Sequence, residues 1–182
     1  MKLNDYITND DTIIFAPQYN KPLEPELLSH YKKIIFSNYK LDNGLFKAYE
    51  NDNFEGLNYI GSEFDQPLGN ALDNCTALTH IRFGYEFNQP LGNALAVCTS
   101  LTHILFGESF NQPLANSLDN CTALINITFG YDFNQPLANS LDNCTALINV
   151  TFGFDFNKPL GNSLNNCKAL THISFGNNFN HP

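Results

Sequence analysis

The stretch Phe87-Asn88-Gln89-Pro90-Leu91-Gly92-Asn93-Ala94-Leu95-Ala96-Val97-Cys98-Thr99-Ser100-Leu101-Thr102-His103-Ile104-Leu105-Phe106-Gly107-Glu108-Ser109 is followed at once by Phe110-Asn111-Gln112-Pro113-Leu114. The same order of residues returns every 23 positions from residue 64 onward. Phe64, Phe87, Phe110, Phe133, Phe156 and Phe179 mark the first position, and Cys75, Cys98, Cys121, Cys144 and Cys167 the twelfth. A fixed period of about 20–50 residues is the mark of stacked supersecondary units. The unit reads F-N-Q-P-L-[GA]-N-[AS]-L-x-N-C-T-A-L-x-x-[IV]-x-F-G-x-x, with five complete copies at 64–86, 87–109, 110–132, 133–155 and 156–178. Residues 179–182 begin a sixth.

Working outward, residues 1–63 hold a worn version of the unit and are read as an N-terminal cap with degenerate repeats. Tyr19-Asn20-Lys21-Pro22-Leu23 echoes the FNQPL element, while Thr12-Ile13-Ile14-Phe15-Ala16 and Lys33-Ile34-Ile35-Phe36-Ser37 echo the element around the isoleucine. The spacing slips over 39–63, so that stretch gets no assignment. No linker and no second domain are expected, and the array should have about eight rungs.

Each unit mixes two periods. Leu78-Thr79-His80-Ile81-Arg82-Phe83-Gly84 alternates and is rich in β-branched and aromatic residues, which predicts a short strand with Ile81 and Phe83 inward and His80 and Arg82 outward. Pro67 to Cys75 spaces its apolar residues like one or two helical turns, but Gly, Asn and Asp are poor helix interiors. A 3₁₀-like turn is the expectation there. One short strand and one turn cannot bury an apolar face alone, so the units must stack, each strand pairing in parallel with the next at about 4.8 Å. Stacking turns the Phe64, Phe83, Leu68, Leu72, Leu78 and Ile81 positions into columns of a continuous core. Asn at the Asn88, Asn93 and Asn74 positions can donate and accept, so these columns are candidates for bonding turn backbone between rungs.

Leu78-x-x-Ile81-x-Phe83 resembles the L-x-x-L-x-L strand signature of leucine-rich repeats, and Cys98-Thr99-Ser100-Leu101-Thr102-His103-Ile104 resembles the C-T-S-L-x-x-I segment of BspA-like units. The segment from Gly84 to Pro90 is similar to the FNIP repeats known from amoebae and giant viruses, and FNQPL to repeats of mycoplasma surface proteins. The likeness covers residues 64–182 closely and 12–38 more distantly. It departs from FNIP proteins in leaving no room for a separate N-terminal module such as an F-box. It implies a repeat solenoid of the leucine-rich type, with short parallel β-strands on the concave face and 3₁₀ or short helical turns on the convex face. It also implies a binding scaffold with no common catalytic residues.

Composition narrows the function. The chain has 182 residues, 43% of them hydrophobic and 15% charged, and a formal net charge of −9. Sixteen Phe and eight Tyr argue against disorder. Residues 64–182 carry only Arg82, Lys158 and Lys168 as cations, too few for a nucleic-acid or anionic-membrane surface. No apolar run approaches the roughly 20 residues that cross a bilayer, and the N-terminus lacks the apolar segment of a secretory signal. Five cysteines, an odd number, fit reduced thiols in the cytoplasm. The N-x-[ST] matches at Asn74, Asn120, Asn126, Asn143 and Asn149 recur because the unit recurs, so they say little about glycosylation.

Candidate chemistry was weighed column by column. One Cys per rung forms a row, not the four converging ligands of a zinc site, and reads as packing. His80 and His103 fall on adjacent rungs close enough to share a metal, with His172 further along, but no third ligand accompanies them, so no metal is expected. Asp73, Asp119 and Asp142 form a solvated convex row without the cleft that paired carboxylates need. No nucleophile elbow, phosphate loop, H-E-x-x-H or Ca²⁺ loop occurs. Catalytic residues and cofactors are therefore expected to be absent.

The outward strand positions vary while the core positions barely change. They comprise Thr12/Ile14, Lys33/Ile35, His80/Arg82, His103/Leu105, Asn126/Thr128, Asn149/Thr151 and His172/Ser174. The predicted partner-binding set is Ile14, Lys33, Ile35, His80, Arg82, His103, Leu105, Asn126, Thr128, Asn149, Thr151 and His172, with Ile14, Ile35 and Leu105 as exposed apolar contacts. The function read from this is a non-enzymatic protein-interaction scaffold that binds a protein partner, neither nucleic acid nor membrane, through its concave strand face. The alternative is a structural or self-assembling component that makes contacts through the solenoid ends, with a homodimer through the uncapped C-terminal end, where Leu170, Ile173 and Phe175 are as apolar as their counterparts. A polysaccharide-cleaving solenoid would need a charged cluster on the outward face, which is absent. Ice binding by the Thr76, Thr99, Thr122 and Thr145 column lacks a flat two-dimensional array.

Overall fold

The computed structural model describes residues 5–37, 39–41, 57–59 and 61–181, with side chains at all of these except 39–41 and 57–59. Eight short strands form one sheet: β1 (Tyr6–Asn9), β2 (Thr12–Phe15), β3 (Lys33–Phe36), β6 (His80–Arg82), β7 (His103–Leu105), β8 (Asn126–Thr128), β9 (Asn149–Thr151) and β10 (His172–Ser174), in that spatial order. All neighbours from β2 to β10 pair in parallel, and β1 pairs antiparallel with β2. The sheet therefore has seven solenoid rungs and one hairpin strand rather than eight rungs. The difference arises because Asn9 to Thr12 turn too tightly to make a crossover, so the chain enters as a hairpin.

The pairing register follows the sequence period. Thr12 faces Lys33, His80 faces His103, and every later pair is 23 residues apart. One step differs: Lys33 pairs with His80, 47 residues on, which is one period plus 24 residues. The unassigned stretch 39–63 thus contributes no strand to the main sheet. Its described parts, β4 (Tyr39–Leu41) and β5 (Leu57–Tyr59), pair antiparallel as a separate two-stranded sheet. Of the unassigned residues named Leu45, Phe46, Phe54, Leu57 and Tyr59, the first three lie outside the described ones.

Behind the strands the turn segments make successive bonds from a backbone N–H to the carbonyl three residues back, for example Ala94 to Leu91, Ala96 to Asn93, Cys98 to Leu95 and Leu101 to Cys98. This is the 3₁₀-type pattern without a sustained helix. Among the described residues the only α-helix is α1 (Pro25–Leu28).

The core is the set of columns the pattern marks. Leu68, Leu72, Leu78 and Ile81 and their equivalents are buried in the inner rungs. Two phenylalanine columns form an aromatic spine: Phe83, Phe106, Phe129 and Phe152 stack at 5.4 Å, and Phe87, Phe110, Phe133 and Phe156 stack at 6.0 Å. Rungs therefore advance about 4.8 Å at the sheet and 6.0 Å behind it, so they fan apart away from the strands. That places the strands on the inner, concave curve.

Two further columns hold the rungs in register. The side-chain oxygen of Asn88 accepts the Asn111 N–H, Asn111 that of Asn134, Asn134 that of Asn157, and Asn157 that of Asn180, all at 2.9–3.0 Å. Asn20 and Asp65 extend the ladder toward the N-terminus. Of the three Asn columns proposed from sequence, this one bonds turn backbone continuously. At the strand ends, a Cβ on Gly107, Gly130 or Gly153 would sit 1.7–2.0 Å from the carbonyl oxygen of the glycine one rung back. Glycine stands there because nothing larger lets the rungs approach.

Candidate functional site

The strand register brings the outward residues into two columns. Lys33, His80, His103, Asn126, Asn149 and His172 form one, and Ile35, Arg82, Leu105, Thr128, Thr151 and Ser174 the other, with Thr12 and Ile14 at their N-terminal end. Every residue of the predicted set lies in one of the two. Most are half-buried between neighbouring rungs, and Leu105 and His172 are exposed.

Ile14 and Ile35 correct the sequence reading. Both are only 8% exposed and belong to a small cluster with Ala16, against which Ile7 packs. Ile7 comes from β1, directly opposite Ile14 in the antiparallel pair, and Ile35 follows as the next parallel partner. A hairpin strand that the repeat pattern does not encode turns this end of the outward face into packing. The two isoleucines are therefore not available as apolar contacts.

The histidines owe their geometry to the threonine before each. Thr79 and Thr102 donate their hydroxyl protons to carbonyls one rung back, Lys32 and Thr79, at 3.0 and 2.9 Å. Each hydroxyl can then only accept from the ring beside it, and His80 and His103 present Nδ1 to it at 2.9 Å. Nδ1 carries the proton, and Nε2 keeps its lone pair. Thr171 and His172 repeat the contact at 2.7 Å. The His80 and His103 rings stack at 4.3 Å, 5° from parallel, and burial holds His103 below the usual imidazole range. Two ring nitrogens on adjacent rungs are an incomplete metal set, and no group of three or more His, Cys, Asp or Glu gathers among the described residues. Further along the same column, the side-chain amide of Asn149 donates to that of Asn126.

The five cysteines are buried and unbridged. Burial pushes the thiols of Cys98, Cys121 and Cys144 up to about 12 and that of Cys75 up to about 11. Thiols so reluctant to ionise are poor nucleophiles and poor ligands. Asp73 and Asp119 of the convex row are exposed, and Asp142 is half-buried.

The sequence reading missed a second concavity, at the rim where the chain leaves each strand. Its signal lies in the two positions after the repeat glycine, which read Tyr85-Glu86, Glu108-Ser109, Tyr131-Asp132, Phe154-Asp155 and Asn177-Asn178. They are variable, aromatic and polar, whereas drift would favour neither aromatic nor amide.

Among families, the chain matches the BspA type leucine-rich repeat region over residues 68–181, in six copies. Among solved structures it is similar to an internalin from Listeria monocytogenes, with a TM-score of 0.55 and 18% sequence identity over 91% of this chain and 47% of that chain. The chain thus spans about half the length of the internalin it matches, and the likeness speaks for the fold. No curated protein matches it. No helix among the described residues is long and apolar enough to cross a membrane.

Proposed function

Because the chain belongs to the BspA-type leucine-rich repeat family, we propose that it works as a non-enzymatic protein-interaction scaffold whose protein partner docks on the concave strand face. Repeat folds of this kind are commonly interaction scaffolds, and their extended concave surfaces follow from stacking. The observation that carries the reading is the contrast between columns. Ile81, Ile104, Ile127 and Val150 barely vary on the inner side, while His80, His103, Asn126 and Asn149 and their neighbours Arg82, Leu105, Thr128 and Thr151 vary on the same strands. The available face runs from Lys33 to His172, without Ile14 and Ile35. Five buried free thiols support a reducing, cytoplasmic setting, and the Gly-x-x-Phe-Asn-x-Pro segment supports an FNIP-type relationship. The test is affinity capture with the wild type and with Leu105→Glu/Thr128→Glu, both folded by circular dichroism. A partner set lost only from the variant is expected, and an unchanged set refutes the strand face.

The second reading is self-assembly. The outer edge of β10 pairs with no strand among the described residues, and Ile173 and Phe175 are 39% and 38% exposed. Such a surface takes another rung of the same kind, so a second copy joined end to end fits it. Light scattering over a concentration series decides: a mass that doubles supports it, and a mass that stays monomeric refutes it.

A further inference from the structure

A groove of about 400 Å³ runs along the stack beside the strand ends, lined by Asn111, Asp132, Asn134, Asp155, Asn157 and Asn178. Its polar atoms are held in place by the asparagine ladder. Since Asn111, Asn134 and Asn157 each point their oxygen at the next rung's N–H, the orientation of their NH₂ groups is fixed. Those NH₂ groups donate to no group among the described residues. Across the groove, the Asp132 carboxylate accepts from no described residue, and Asp155 accepts only from Asn178. Asp132 and Asn134, then Asp155 and Asn157, therefore repeat a fixed donor facing a carboxylate acceptor on successive rungs. The Phe133 and Phe156 rings between the two walls set the interval at 6.0 Å. In the next column Tyr131 stacks on Phe154 at 4.9 Å, and Tyr131 is 47% exposed, an aromatic face beside the polar trough.

A ligand for this groove must offer groups that accept from an amide and donate to a carboxylate at once, carry an apolar face for an aromatic ring, and repeat along its length. Hydroxyls do the first, and the C–H face of a pyranose ring does the second. An extended chain of β-linked pyranoses advances one sugar over a distance close to one rung. An extended peptide does not, with its alternate side chains about 6.6–6.8 Å apart and its backbone in need of a strand edge. Asp132 and Asp155 repel anions. We propose that this groove binds an extended, uncharged oligosaccharide, one sugar to a rung, on a surface separate from the strand face and independent of whether that face holds a protein.

The test is calorimetric and tyrosine-fluorescence titration of the full chain with β-1,4-linked hexasaccharides of glucose, xylose and N-acetylglucosamine. At least one is expected to bind and to change tyrosine emission, since Tyr131 lies at the rim. Asp132→Ala should weaken it about tenfold or more, as loss of a charge-assisted bond does. Asn134→Asp keeps the oxygen that holds the Asn157 N–H and replaces only the NH₂, so it should weaken binding similarly without moving the unfolding midpoint. Leu105→Glu on the strand face should leave binding unchanged. The proposal is overturned if no hexasaccharide binds at millimolar concentration, if both groove variants bind like wild type, if binding appears only with added CaCl₂, or if a sulfated hexasaccharide binds more tightly than the neutral ones.

Discussion

Replacing Gly130 by alanine tests the packing logic of the whole stack. The added Cβ would lie 2.0 Å from the Gly107 carbonyl oxygen, 2.5 Å from its carbon and 2.6 Å from the Glu108 Cα, all backbone atoms that cannot rotate away. Reaching an ordinary contact of 3.4 Å requires the two rungs to part locally by about 1.4 Å. The bond from Asp132 N–H to the Glu108 carbonyl, 2.9 Å long, cannot survive that, and neither can the close stack of Phe106 on Phe129 at 5.4 Å. Losing a bond or two at about 1–3 kcal/mol each, plus about 1 kcal/mol of aromatic stacking, gives a destabilisation of roughly 3–5 kcal/mol. The control is Gly92→Ala. Gly92 has φ +54° with nothing within 4 Å of its Cβ position, so only left-handed strain counts, about 1 kcal/mol. Nature has run the reverse experiment at the same position of the unit, where Ala115 and Ala138 stand at φ +49° and +48°. Ala115→Gly should therefore stabilise by up to about 1 kcal/mol. Urea unfolding by circular dichroism measures all three. A Gly130→Ala cost no larger than that of Gly92→Ala refutes the close approach, and a destabilising Ala115→Gly refutes the strain.

Phe129→Ala should cost about 3–5 kcal/mol, because it removes a 2% exposed ring stacked at 4.0 Å on Phe133, whereas Thr128→Ala on the outward side should cost less than about 1 kcal/mol. Equal melting shifts would mean the inward and outward phases are reversed. Asn111→Ala deprives the Asn134 N–H of its acceptor and should cost about 1–2 kcal/mol, while Asn111→Asp restores the oxygen and most of the loss; urea midpoints separate them. Thiol titration should find five free cysteines on unfolding and almost none before it. Because burial raises the folded-state thiol pKa values, the unfolded chain loses these protons first. Stability is then full below about pH 9 and falls as pH rises toward 11 and 12, by about 1.4 kcal/mol per pH unit for each fully protected thiol. Urea midpoints that stay level from pH 8 to 10.5 would contradict this.

The parts of the fold legible in the sequence are those where one residue type answers one constraint. Alternation across Ile81-Arg82-Phe83 sets the inward phase because strand side chains repeat every second residue, and a 23-residue period sets the register for the same reason in every rung. Burial of Ile14 and Ile35 was not legible, since it depends on β1 and the local sequence is the same as that of an exposed strand. Direct pairing of Lys33 with His80 was hidden by the worn pattern after Phe36. Glycine misled in a different way: the Gly107 position reads as a strand end, yet its cause is a carbonyl 23 residues earlier in the chain. At the left-handed position, Ala115 and Ala138 disguise a backbone that Gly92 alone would have revealed. The strand columns were found because variation against a constant background is visible in one chain. The groove was missed because its donors belong to a column already explained as structural.

The asparagine ladder also bears on how such a chain changes over generations. Each rung receives an acceptor from the rung before it and provides one for the rung after, through the same residue and in the same direction. A duplicated stretch of 23 codons therefore arrives with both halves of its connection already made, and a deleted one leaves matching ends. Any other length throws the ladder, the glycine contact and the phenylalanine spine out of phase together. Whole-unit duplication and loss are thus mutations to which the backbone is nearly indifferent, so reach along the axis can grow or shrink without altering the architecture, while point substitution is left to tune the surfaces.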